Sequence, residues 1–192
     1  RHALEFARKG YNVTGIDIAK DWLNIAKKEA KKQGFSIIFR LQKGSQLKEK
    51  EFYDVVMSYY HTLGFMSRKE LNIHLRKIWK SLKTNGKFFL RTAGPQLIPG
   101  MKYEKKQEWG EKDGKYILCN TQIKNRYRHE NCIEIDIKNN KITKFHEKQK
   151  AFSFKEVISL LKQAGFKKIK SLKDMKGRKA TQKEFEIYIC QK

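Results

Sequence analysis

The sequence predicts a doubly wound α/β domain: a mostly parallel sheet interrupted by an antiparallel β excursion. Short apolar runs alternate with amphipathic stretches of ten or more residues from the start to about residue 92. That is the rhythm of right-handed strand–helix–strand crossovers. From about Tyr103 consecutive strand-like runs take over, and a helix and closing strands return after Ser153.

The elements follow in order. Ala3, Leu4, Phe6 and Ala7 put an apolar face on a first helix, which Gly10 can end in the left-handed conformation. "NVTGID" reads as a short buried strand. In "KDWLNIAKKEAKKQG", Trp22, Leu23, Ile25, Ala26 and Ala30 make the buried stripe of a second helix, with Trp22 as a core residue, and Gly34 closes it. "SIIFRL" and "YDVVMSY" are strands. Ser67 and Glu70 form a capping box ahead of Leu71, Leu75, Ile78 and Leu82 at helical spacing. "KFFLRT" is the next strand. Between 103 and 152 two to four antiparallel strands are expected, with "IKNNKI" as a hairpin because Asn tolerates a left-handed turn. Ser153 and Glu156 open the last helix, Gly165 stops it, and "KKIKSL" and "FEIYICQK" close the chain. No flexible linker or internal repeat divides residues 1–192, so one domain is expected.

Composition excludes several classes. No apolar run is long enough to span a bilayer, so no membrane partner is expected. Three cysteines, Cys119, Cys132 and Cys190, are odd in number and far apart. They suggest no disulfide framework and point to a reducing cytoplasm. His129 and Cys132 have a metal-like spacing, but no second pair completes a tetrahedral site, so no metal is expected. The net charge of +24 invites a nucleic-acid reading. Most of it is lysine spread over every helix and loop, a profile that also suits an AT-rich genome. Only "KNRYRHE" (124–130) mixes arginine with an aromatic.

One acidic residue carries the functional argument. Ligands of open α/β sheets sit beyond the carboxyl ends of the strands. Asp17 ends a strand there, and its carboxylate can accept two hydrogen bonds from the vicinal hydroxyls of an adenosyl ribose. It can equally cap the helix starting near Lys20. The first helix has no strand or glycine-rich turn ahead of it, although such a helix normally follows one. The chain also lacks an initiator methionine. A first strand and glycine-rich turn are therefore expected upstream of Arg1.

"RHALEFARKGYNVTGIDIAKDWL", "YDVVMSYYHTLGF", "SLKTNGKFFLRT", "FSFKEVISLLKQAGF" and "FEIYICQK" together resemble the Rossmann-like, class I S-adenosylmethionine-dependent methyltransferases. The resemblance runs in order along the whole chain, and "LKTNGKFFL" is similar to the family's "LKPGG" turn and fifth strand. It implies a seven-stranded sheet with an antiparallel last strand, S-adenosylmethionine as cofactor, and 103–152 as an insertion on the acceptor side. Residue by residue, Asp17 matches the ribose-binding acid and Ile18 the apolar neighbour on adenine. The acid near the adenine amine is replaced by "LQKGSQL", where Ser45 or Gln46 could substitute. The capping Ser is Ala19 here, a loss of roughly 1 kcal/mol. Ser58, Tyr59 and Tyr60 fall where the pocket between donor and acceptor begins.

The resemblance implies methyl transfer to an acceptor that is a small molecule by preference, with an RNA base as a variant. The candidate bases are His61 and, behind it, Tyr59 and Tyr60; the ordinary pKa of histidine suits the task. Two other classes share the sheet. A nicotinamide-dependent oxidoreductase would use the same Asp17, and a non-enzymatic binding domain would have lost the donor site.

Overall fold

The computed structural model describes residues 1–59, 62–92, 106–174, 176–180 and 187–192. The N-terminal part alternates as predicted: α1 (His2–Arg8), β1 (Thr14–Asp17), α2 (Lys20–Lys32), β2 (Ile38–Leu41), β3 (Tyr53–Ser58), α3 (Arg68–Ser81) and β4 (Leu82–Arg91). Single 3-10 turns follow β2 (Gly44–Gln46) and β3 (Thr62–Phe65). Four strands then run consecutively: β5 (Lys106–Lys112), β6 (Lys115–Lys124), β7 (Tyr127–Asp136) and β8 (Lys141–Lys150). The chain closes with α4 (Phe154–Ala164), β9 (Lys167–Leu172) and β10 (Ile187–Gln191).

The local rules that predict the helices are those that build them. Ser67 and Ser153 cap α3 and α4 through the Glu70 and Glu156 amides, and each glutamate answers to its serine's own amide. Gly165 takes the left-handed conformation (φ +105°) that ends α4, and its carbonyl accepts from the Trp79 indole at 3.0 Å. That bond ties the end of α4 to α3. Leu71, Leu75 and Ile78 of α3 and Val157, Leu160 and Leu161 of α4 share one core with Phe88 and Leu90 of β4 and Tyr188 of β10.

The sheet differs from the single seven-stranded one the family resemblance implies. β1 and β2 form a parallel pair, and β3–β4–β10–β9 form a second sheet in which β10 is antiparallel to both neighbours. The antiparallel last strand is thus as expected. Among the described residues no strand pairs with the outer edge of β1 or of β3, and this divides the sheet. Ile16 of β1 and Val56 of β3 still pack against the same core.

Three further expectations change. Trp22 and Ile25 are not core residues: they are 69% and 56% exposed, while Leu23 and Ala30 are buried. A two-stranded sheet accepts one row of α2 side chains, and Trp22 sits about 100° and Ile25 about 160° round the helix from Leu23 in that row. The "LKTNG" turn lies inside β4 as an irregular stretch, with Asn85 left-handed and a register shift before Lys87.

The third concerns the cysteines. Cys119 and Cys132 are bonded to each other, although their number and spacing suggest no disulfide. β6 and β7 meet at a tight turn whose Asn125 and Arg126 both have positive φ, and the register places Cys119 opposite Cys132. Thirteen residues of sequence become a Cα separation of 4.2 Å. The cysteine-based argument for a reducing compartment loses its basis here. Among the described residues no helix is long and apolar enough to cross a membrane.

Candidate functional site

The carboxyl ends of β1, β2 and β3 are where an open α/β sheet meets its ligands. The Asp17 carbonyl accepts from the Gln42 amide at 3.0 Å, which joins the ends of β1 and β2. The His2 ring, at the start of α1, lies 4.6 Å from the Tyr59 ring, just past the end of β3. Burial foremost, with the Arg1 and Arg91 charges behind it, lowers the His2 pKa. His2 is a site-side residue that sequence reasoning misses, because nothing in its spacing marks it.

Asp17 is exposed at the tip of β1, and its Oδ1 accepts from the Ala19 amide at 2.9 Å. It does not act as the N-cap of α2; that position is Ala19, which has no side-chain bond. Asp17 Oδ2 has no partner among the described residues. Ile18 beside it is 69% exposed. An outward carboxylate oxygen next to an apolar surface fits a ribose with its attached purine.

Across from Asp17, residues Gln42–Gln46 follow β2. Ser45 is half-buried in the 3-10 turn. Gln46 is engaged within the turn, its Oε1 accepting from the Lys43 amide at 2.8 Å. Lys43 reaches Glu70 of α3 at 3.5 Å. Gly44 lies directly on His74, so a Cβ there would stand 2.2 Å from the ring. Ser58 and Tyr59 are half-buried at the end of β3. Tyr60 and His61, the proposed proton acceptors, lie outside the described residues.

His74 is 6% exposed, and burial drops its pKa to about 4. The unfolded chain, with an ordinary imidazole near 6.5, therefore binds the proton first, and stability rises with pH. Stability should be full above pH 6.5 and decline as pH falls towards 4, by up to about 3 kcal/mol. Urea unfolding of the wild type and His74→Leu between pH 5 and 7.5 checks this, with the variant expected to show the flatter profile.

The β5–β8 sheet stands beside this end of the molecule. Gly64, in the 3-10 turn after Tyr59, packs so closely that a Cβ would lie 2.5 Å from Gln149 Cγ and 2.8 Å from the Lys150 carbonyl. The arginines of "KNRYRHE" are bound within the protein: Arg126 pairs with Glu156 of α4, and Arg128 with Glu130. Lys148 covers Tyr127 at 4.5 Å from its ring centre. Replacing Arg126 and Arg128 together by Ala should therefore weaken binding to a transfer RNA no more than replacing Lys28 and Lys162. Titrations at near-physiological salt check this; a far larger loss from the arginine pair would indicate an RNA site. Cys132 lies in the disulfide, and alternation along β7 puts it on the opposite sheet face from His129, so that pair cannot share an ion. Cys119, Glu130 and Cys132 do cluster, but with both sulfurs joined to each other.

Residues 1–86 match the family model described as "Methyltransferase domain". No curated protein matches the chain. Among solved structures, a S-adenosylmethionine-dependent methyltransferase from Clostridium acetobutylicum superposes with a TM-score of 0.80 at 14% identity, over 94% of this chain and 75% of that one. The CcbJ methyltransferase from Streptomyces caelestis gives 0.80 at 16%, over 98% and 77%. CalS10, an amino pentose methyltransferase from Micromonospora echinaspora with S-adenosylmethionine bound, gives 0.68 at 12%, over 94% and 73%. Likeness at these identities is likeness of fold.

Proposed function

We propose that the chain is a class I S-adenosylmethionine-dependent methyltransferase, a reading supported by the methyltransferase-domain match over residues 1–86 and by the shared fold, and that its acceptor is a small molecule seated between the strand ends and the β5–β8 sheet. The seating of Gln149 on Gly64 carries this reading, because it holds β8 beside the segment that follows Tyr59. Two structural neighbours, by name, methylate an amino pentose and a sugar nitrogen.

When bound, the donor supplies an already activated methyl group, so the protein's part is to hold, orient and move a proton. Asp17 accepts from the ribose hydroxyls and Ile18 covers the purine. Ser45 and Gln46 form the rim across from Asp17, and Ser58 and Tyr59 form the floor. His61, with Tyr60 beside it, takes the acceptor's proton. No described strand pairs with the outer edges of β1 and β3, which supports the further strand and glycine-rich turn expected from the sequence.

The test is transfer of a radiolabelled methyl group by the upstream-extended protein. Offered pooled small amines and hydroxylated sugars beside transfer RNA, it should label the small-molecule fraction. Label confined to the RNA would overturn the acceptor assignment.

A further inference from the structure

The turn across from Asp17 rests on a histidine that the fold alone does not need. His74 lies on the core face of α3, in step with Leu71, Leu75 and Ile78, and is itself buried. Neither ring nitrogen has a hydrogen-bond partner among the described residues. A buried polar group without a partner destabilises a fold, and an aliphatic side chain of similar volume would avoid that cost. On the strand side of the same turn, the Gln42 Nε2 is also buried with no partner among the described residues. Two independent orphaned groups therefore flank one five-residue stretch at the carboxyl end of β2.

The turn itself is already satisfied. Gln46 answers the Lys43 amide, and Lys43 is tied to Glu70 at the rim. The imidazole sits where Gly44 has no side chain, so the ring lies in direct contact with the turn. A group retained at a cost to stability, beside a ligand-binding strand end, is the pattern of a functional position.

We propose that His74 is a positioning residue for the donor: it supports the Lys43–Gln46 turn from below, and its ring and the Gln42 amide gain their hydrogen-bond partners when a purine nucleoside seats against that turn. This inference rests on the donor reading above.

Calorimetric titration of S-adenosylhomocysteine into the upstream-extended protein, paired with thermal unfolding of the 192-residue chain, tests it. His74→Leu should leave the melting temperature equal or higher, yet weaken binding by about tenfold or more. It should raise the donor KM while leaving kcat at saturating donor unchanged. Either His74→Asn or His74→Gln, whose amide nitrogens reproduce the Nδ1 and Nε2 positions, should recover part of the affinity. Equal affinity in wild type and His74→Leu would overturn the proposal. So would a loss of stability as large as the loss of affinity, which would make His74 a packing residue. If the unsubstituted protein does not bind, the donor reading falls and takes this inference with it.

Discussion

Adding the upstream strand and glycine-rich turn is expected to convert a chain that binds S-adenosylhomocysteine poorly into one that binds it tightly. Among the described residues no strand pairs with the outer edge of β1 or of β3, and α1 contributes no buried residue. A strand between β1 and β3 would pair both edges. The turn after it would aim backbone amides at the charged end of the donor. Bonds of that kind contribute roughly 1.5–3 kcal/mol each, so two of them amount to at least about a hundredfold in affinity. The 192-residue chain alone should show no methyl transfer. Equal affinity with and without the extension would mean that no strand belongs between β1 and β3.

Within the extended protein, Asp17→Ala should weaken S-adenosylhomocysteine by roughly 1.5–3 kcal/mol, because bonds to a charged acceptor are lost. The substitution also removes the local bond to the Ala19 amide. Asp17→Asn separates the two effects. It keeps an acceptor for Ala19 and loses the charge, so its stability should stay near wild type while its affinity falls. Calorimetry on all three proteins checks this. Equal affinities would remove Asp17 from the donor site.

Much of this molecule is legible in its sequence because local rules decide it. The serine–glutamate pairs at 67/70 and 153/156 specify helix starts whatever surrounds them, and Gly165 specifies a stop. The position of Asp17 follows from where β1 ends. Trp22 and Ile25 are misjudged because helical periodicity identifies an apolar stripe without saying how wide a surface will cover it. The disulfide is hidden for a related reason. Cys119 and Cys132 are equidistant from the Asn125–Arg126 turn, so their pairing can be read only once that turn is located. Arg126 and Arg128 look like a nucleic-acid cluster until the fold brings Glu156 and Glu130 to them. His74 was within reach. Its spacing from Leu71, Leu75 and Ile78 places a titratable group among core positions, and only the absence of partners needed coordinates.

The central claim is that the Asp17 site takes an S-adenosyl donor. Its most direct test is parallel calorimetric titration of S-adenosylhomocysteine and NADH into the upstream-extended protein. Binding of S-adenosylhomocysteine with little or no heat from NADH is the predicted result. Tight NADH binding, with S-adenosylhomocysteine failing to compete, would contradict it and make the protein a nicotinamide-dependent oxidoreductase.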